Sequence, residues 1–260
     1  MESAKLFEKI FKEKLILNSD KLQFISSVMS CFRDIPYENI SKINLSKPTL
    51  RTPDIIMHDF EKFGLGGTCF SLTWFLKIVL NYFGEEFALH TAYRTQGDDT
   101  HCAGIWTDSN GDQYLLDVGF LIFTPVLIPQ NDQELKFSFG NFDFKMLNSN
   151  SRLNVYSKPQ KDENYKFRYA IKMNKLSDSE FRDIWIKSFE FAMMDNIIIG
   201  KYLNSSDLVY IKVNSDYVYI NRGGNGKKVS TEEGINSISE LGISSTETKK
   251  AFDKIQNGKN

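Results

Sequence analysis

The stretch Gly64-Leu65-Gly66-Gly67-Thr68-Cys69-Phe70-Ser71-Leu72 constrains this chain more than any other. A glycine run delivers one cysteine to the start of a helix that is apolar on almost every face. Phe70, Leu72, Trp74, Phe75, Leu76, Ile78, Val79, Leu80, Tyr82 and Phe83 fill residues 70–83, and Gly84 reads as the stop. A helix without a polar face belongs inside a core. Gly66 and Gly67 permit backbone approaches closed to other residues. The first-turn N–H groups are unpaired and carry partial positive charge, so a thiol there ionises more easily, and the thiolate is the nucleophile. A cysteine before an apolar helix is ordinarily an inert core residue, so chemistry requires partners elsewhere in the chain.

Those partners sit in a chain of 260 residues, enough for one large core or two or three smaller ones. Net charge is −1 and no long basic run occurs, which argues against nucleic acid as a partner. Lys77 interrupts the longest apolar candidate for a membrane span. The first residues mix Glu, Lys and Phe at helical spacing, unlike a signal peptide. Three cysteines, Cys31, Cys69 and Cys102, then read as reduced thiols in a cytoplasm. Three histidines and three cysteines without ligand spacing predict no metal.

The spacing predicts helices over 5–14 and 20–33, the second with Leu22, Ile25, Val28, Met29 and Phe32 on one face and Ser19 or Asp20 as cap. Thr52-Pro53-Asp54 opens a helix that ends at Gly64. After Gly84 the period changes to that of strands, at 87–94, 101–107 and 113–120, with a polar loop over 95–100 and a hairpin turn over 108–112. Short strands are expected at 126–128, 135–139, 142–146 and 165–173. Ser177-Asp178-Ser179-Glu180 is a capping box opening a helix towards Met194. A hairpin over 208–213 and 217–221, a loop over 222–230 and a last helix over 238–255 complete the expectation.

A cysteine nucleophile needs a base, and the base an orienting group. His58 lies inside a helix and His90 in mid-strand, where packing roles are ordinary. His101 stands where a polar segment enters a strand, a common place for function. Asp117 lies between apolar strand residues, where an acid is costly unless paired. A two-residue turn at Asn110-Gly111 would set His101 and Asp117 on opposite faces. A three-residue loop over 109–111 pairs Ala103 with Asp117 and makes His101 its diagonal neighbour on the same face. Catalysis therefore requires the odd-length loop or a bulge.

With Ile35-Pro36-Tyr37-Glu38-Asn39-Ile40, Gly66-Gly67-Thr68-Cys69-Phe70, His101 opening a strand, Asp117-Val118-Gly119-Phe120 and Thr124-Pro125-Val126-Leu127 in this order, the chain resembles the arylamine N-acetyltransferases. The match covers residues 35–128, with a faint echo at Glu240-Leu241-Gly242-Ile243. The resemblance implies an α+β, papain-like thiol-enzyme fold: an N-terminal helical bundle (1–85), an antiparallel β-barrel (86–190) and a C-terminal α/β lid (191–260). It implies Cys69 as nucleophile, His101 as base and Asp117 as orienter. Backbone N–H groups of Cys69 and Cys102 become oxyanion donors, and Tyr37 and Phe120 line the acceptor pocket. It implies acetyl-coenzyme A as donor, an arylamine or hydrazine as acceptor, and a ping-pong reaction.

Three positions depart from the family pattern. Leu65 stands for its usual Arg, Ser71 for Glu, and Leu121 for the glycine that closes D-V-G-F-G. Losing both charged groups together avoids a lone buried charge, and Leu121 narrows the cleft of the coenzyme. Amide synthesis with another acyl donor, a cysteine hydrolase and a non-catalytic binding protein are the rival readings.

Overall fold

The structure, a computed structural model, describes residues 2–17, 20–149, 151–204 and 206–257. Three hydrophobic cores organise it: one among the N-terminal helices, one inside a barrel and one between a second sheet and the last two helices.

The first core gathers α1 (Glu2–Ile10), α2 (Lys21–Cys31), the strand β1 (Tyr37–Glu38), α3 (Ile40–Ile43), α4 (Pro53–Phe63) and α5 (Cys69–Tyr82). Asp20 caps α2 by accepting from Gln23 N–H at 3.0 Å; Ser19 lies outside the described residues. Gly64 ends α4 at φ 65°, a left-handed conformation that suits glycine. α5 is the axis, as its sequence predicts. Phe75 meets Phe7 and Phe32 at ring centroids 5.6 and 5.2 Å apart.

The barrel is nearly closed and antiparallel. Its strands are β2 (Ala88–Arg94), β3 (Gly97–Thr107), β4 (Gln113–Asp117), β5 (Ile122–Leu127), β6 (Glu134–Phe139), β7 (Phe142–Ser149), β8 (Arg152–Pro159) and β9 (Lys166–Lys172), in the order β5-β4-β3-β2-β9-β8-β7-β6. α6 (Asp178–Lys187) follows, opened by the predicted capping box. It packs Phe181 on Phe70 and Trp74 of α5, at 5.5 and 5.9 Å.

The second sheet, β1-β10-β11-β12-β13, adds β10 (Ile197–Tyr202), β11 (Leu208–Val213), β12 (Val218–Arg222) and β13 (Asn225–Val229). α7 (Thr231–Glu240) and α8 (Ser245–Asn257) cover it.

Several expectations need correction. The segment 95–100 is not a loop, because β3 starts at Gly97 and Arg94 pairs with Gly97 across a tight turn. The strand over 113–120 ends at Asp117 and tightens into a 3₁₀ turn, Val118–Phe120, in which Asp117 Oδ1 accepts from Phe120 N–H. The helix expected to reach Met194 stops at Lys187. The strands β8 and β10 go unpredicted. β10 has most of its residues buried, so its apolar run lacks the alternation that marks a one-sided strand. The loop over 222–230 contains β13, an almost wholly exposed strand held by backbone pairing to β12. The single helix over 238–255 is two, broken at Gly242 with φ 83°.

Candidate active site

The glycine run is held from three sides. Gly67 N–H donates to Pro36 C=O and Gly67 C=O accepts from Glu38 N–H, at 3.3 and 3.0 Å. Gly66 N–H donates to Glu38 Oε1 at 3.1 Å, and Arg51 reaches Gly66 C=O at 3.2 Å and Asp59 at 2.8 Å. A Cβ at Gly66 would stand 2.0 Å from Pro36 O, so glycine is required there. Glu38 is fully buried and also accepts from Ser41 N–H and Oγ–H. Burial pushes its carboxyl pKa up, against the lowering effect of Arg51 and these donors. The Pro36-Tyr37-Glu38 segment thus braces the glycine run that leads into Cys69.

Cys69 is the first residue of α5. Thr68 precedes it without a side-chain cap, which leaves the first-turn N–H groups uncapped by that side chain. On the barrel side, β3 and β4 pair Gly104 with Leu116 and Thr107 with Gln113. Continued, that register sets Ala103 opposite Asp117, as the odd-length loop requires. His101 Nε2 lies 2.9 Å from Asp117 Oδ2. Cys69, His101 and Asp117 are 4, 2 and 0 % exposed, so the cluster is shielded from bulk water.

The three groups perturb one another in a consistent direction. The Cys69 thiol pKa is held well below its ordinary value, first by a hydrogen bond from Cys102, then by hydrogen bonding to and the charge of His101, and by Arg94, against burial. His101 is lifted to about 9: burial opposes this, while Asp117 and then Cys69 favour the cation. Cys102, reached from the other face of β3, is pushed up by burial and by Cys69. A thiolate–imidazolium pair is the nucleophile form such a cluster holds near neutrality. Cys31 is pushed to about 12 by burial. Exposed His58 bonds Asp59, and buried His90 bonds Lys172 C=O, both packing roles.

A family model described as N-acetyltransferase matches residues 21–224. The chain belongs to the arylamine N-acetyltransferase family. It is an N-acetyltransferase. The arylamine N-acetyltransferase of Salmonella typhimurium superposes with a TM-score of 0.77 at 12 % identity, over 96 % of this chain and 98 % of that one. That of Mycobacterium abscessus superposes at 0.82 and 11 %, over 97 % and 94 %. A Bacillus cereus member, described as having a unique Cys-His-Glu catalytic triad, superposes at 0.67 and 16 %, over 94 % and 99 %. No curated protein matches in sequence. Unlike a Cys-His-Glu set, the acid on His101 here is an aspartate.

The family departures have local explanations. Leu65 is buried in the core of the second sheet with Ile40 and Ile199. Ser71 donates to Thr68 C=O at 3.0 Å, and its hydroxyl would stand 2.2 Å from a Cβ at Gly67, so Ser71 fills the space that the glycine leaves open. Leu121 adopts φ 62° and ψ 30°, the left-handed region where a family glycine is at ease. Its Cδ1 would meet a Cβ at Gly200 at 2.7 Å, so it fills the gap between the turn after Asp117 and β10.

Phe120 lies 5.9 Å from His101, ring to ring. Tyr37 pairs with Gly200 on β10, and its phenol pKa is raised by burial and then by the Cys69 charge. Sequence reasoning missed Gly119, Tyr169 and the supporting role of Glu38. A Cβ at Gly119 would stand 2.6 Å from Cys69 Cβ. Tyr169 packs on His101 at 4.6 Å and Phe120 at 5.0 Å. Glu38 carries the signal that flags Asp117, an acid among apolar residues; Tyr169 carries none, because its contact is made across the barrel.

Proposed function

We propose that the protein transfers an acetyl group from acetyl-coenzyme A to an arylamine or hydrazine through an acetyl-Cys69 intermediate, in a ping-pong sequence within a reducing cytoplasm. The observation that carries this reading is the dry Cys69–His101–Asp117 cluster at the start of α5. Cys69 thiolate attacks the thioester carbonyl, and the carbon–sulfur bond to the coenzyme breaks as His101 protonates the departing thiolate. The amine then attacks acetyl-Cys69 and gives its proton back to His101, which frees the thiolate. Asp117 holds the imidazole through Nε2 and leaves Nδ1 for the sulfur. Backbone N–H groups of Cys69 and Cys102 receive the oxyanion, and Tyr37 and Phe120 line the acceptor side. The segments 1–85, 86–190 and 191–260 supply nucleophile, base with acid, and lid.

Incubation with acetyl-coenzyme A and no acceptor should add one acetyl mass to Cys69 and release one coenzyme thiol. The adduct should persist, because water is kept from it, and an arylamine should discharge it. Continuous turnover without amine would identify a hydrolase. Absence of any covalent mass with a panel of acyl thioesters would refute acyl transfer.

A further inference from the structure

The barrel mouth beside His101 contains two guanidinium groups that share no ion pair with a carboxylate among the described residues. β2 and β9 pair Ala92 with Ile171 and Tyr93 with Ala170, so the next step sets Arg94 across from Tyr169. Ala92 pairs with His101 on the other side, which brings Arg94 to the strand end beside the imidazole. On β9, Tyr169 pairs with Val155 and Phe167 with Tyr156, so Arg168 is the extra residue of a bulge. A bulge re-aims its side chains. Arg168 Nε accordingly donates to Oγ of buried Ser157 at 2.8 Å, while Tyr169 remains fully buried.

Neither arginine has a charged partner. Among the described residues no carboxylate makes an ion pair with Arg94 or Arg168, and Arg94 Nε is buried without a hydrogen bond. The nearest acids along the chain from Arg94, Asp98 and Asp99, are held by Lys172 at 3.4 and 2.9 Å. The Tyr169 hydroxyl faces the Asp117 carboxylate; burial and then that carboxylate raise its pKa. The charge of Arg94 reaches the nucleophile: it helps to lower the pKa of Cys69 and opposes the rise of Tyr37, Tyr169 and Tyr210. Burial, and then Arg94, lowers that of Arg168. Desolvating two like charges together is unfavourable unless an anion joins them.

We propose that Arg94 and Arg168 form a carboxylate-binding subsite in the barrel mouth that opens on Cys69, so that the favoured substrate carries a carboxylate. The planar guanidinium matches a carboxylate through two parallel hydrogen bonds. The carboxylate belongs either to the acceptor, as in a ring-carboxylated aromatic amine, or to the acyl group, as in the half-thioester of a dicarboxylic acid. This inference rests on the acyl-transfer reading above.

The test compares matched pairs within each protein. For the acceptor, kcat/KM with 4-aminobenzoate is divided by that with aniline, acetyl-coenzyme A being the donor. For the acyl group, the rate of Cys69 acylation by malonyl-coenzyme A is divided by that with acetyl-coenzyme A. Each ratio cancels any effect of Arg94 on the nucleophile itself. Wild type should show a ratio of about ten or more in one arm, and that arm identifies the source. Arg94→Gln and Arg168→Gln should each collapse it about tenfold, and Arg168→Lys should restore part. Circular dichroism establishes that each variant is folded; Arg168, at a bulge, is the safer of the two sites. Ratios near one in both arms, ratios unaltered by the substitutions, or an equal loss with every coenzyme ester, which marks a phosphate contact, would each overturn the subsite. Calorimetric binding of 4-aminobenzoate to unacylated wild type and Arg168→Gln separates the two readings. Binding that the substitution weakens supports the subsite even where no thioester acylates Cys69, and absence of binding there overturns it.

Discussion

At the scale of single residues, two positions set the room around Cys69. Gly119→Ala would drive a Cβ into Cys69 Cα and Cβ at 2.7 and 2.6 Å, atoms at the helix start that cannot swing away. Relieving those contacts shifts Cys69 by roughly 1 Å, a misplacement that costs roughly 10²-fold in rate, so Cys69 acylation should slow by about that factor with the fold retained by circular dichroism. Leu121 tests the opposite change. Leu121→Gly removes a left-handed leucine, worth about 1 kcal/mol of strain, and vacates the gap at Gly200. The KM for acyl thioester should fall several-fold; an unchanged KM would show that Leu121 does not restrict donor entry. The thiols themselves should separate by reactivity. Iodoacetamide at pH 6 should label Cys69 before Cys31, whose pKa is about 12, and before Cys102, pushed up by burial and by Cys69. Peptide mapping that finds Cys31 first would remove the activated thiol.

At the scale of elements, the hairpin of β3 and β4 couples charge to folding. The folded pKa of His101 is raised to about 9 from an ordinary 6.5, so the pairing with Asp117 stabilises the fold fully below about 6.5 and loses that contribution as pH rises through about 9. The stability gap between wild type and His101→Gln, read from urea unfolding, should therefore be wide at pH 6 and narrow by pH 10. A gap that widens with pH would place the proton elsewhere. β1 couples elements in another way. It joins the glycine run to β10 through Tyr37 and Glu38, and the Asn39 side chain donates to Asn196 C=O at 2.8 Å and accepts from Ile198 N–H at 2.7 Å. Asn39→Ala leaves partly buried backbone groups of Asn196 and Ile198 without this partner, which costs up to about 1–3 kcal/mol each. Its urea midpoint should fall markedly, and a midpoint unaltered within error would show that β1 needs no such stitch.

At the scale of the whole molecule, Cys69 and the His101–Asp117 pair arrive on different bodies of structure. α5 brings Cys69 from the helical core, and β3 and β4 bring His101 and Asp117 from the barrel. β10 of the second sheet closes the third side, with Gly200 against Leu121. No helix among the described residues is long and apolar enough to cross a membrane. The resemblance carried over from a few short motifs holds at the level of family and fold, although the structural neighbours share only 11–16 % identity. Packing around one site can persist where most surface residues have changed.

The sequence by itself determined the local pieces. Gly66, Gly67 and the apolar run after Cys69 specify a buried helix with a thiol at its start, and the polar run over 108–112 specifies a hairpin, while the structure chose between the two registers that such a turn allows. Glycine freedom, side-chain period and turn propensity are short-range properties, so they are legible within a few residues. Only the tertiary structure decided which distant strands meet. β13 exists because β12 offers it backbone partners, β10 because it lies between β1 and β11, and Tyr169 and Arg94 stand beside His101 because β9 pairs with β2. Such pairings depend on loop closure and backbone hydrogen bonding over tens of residues. No residue's own chemistry records them.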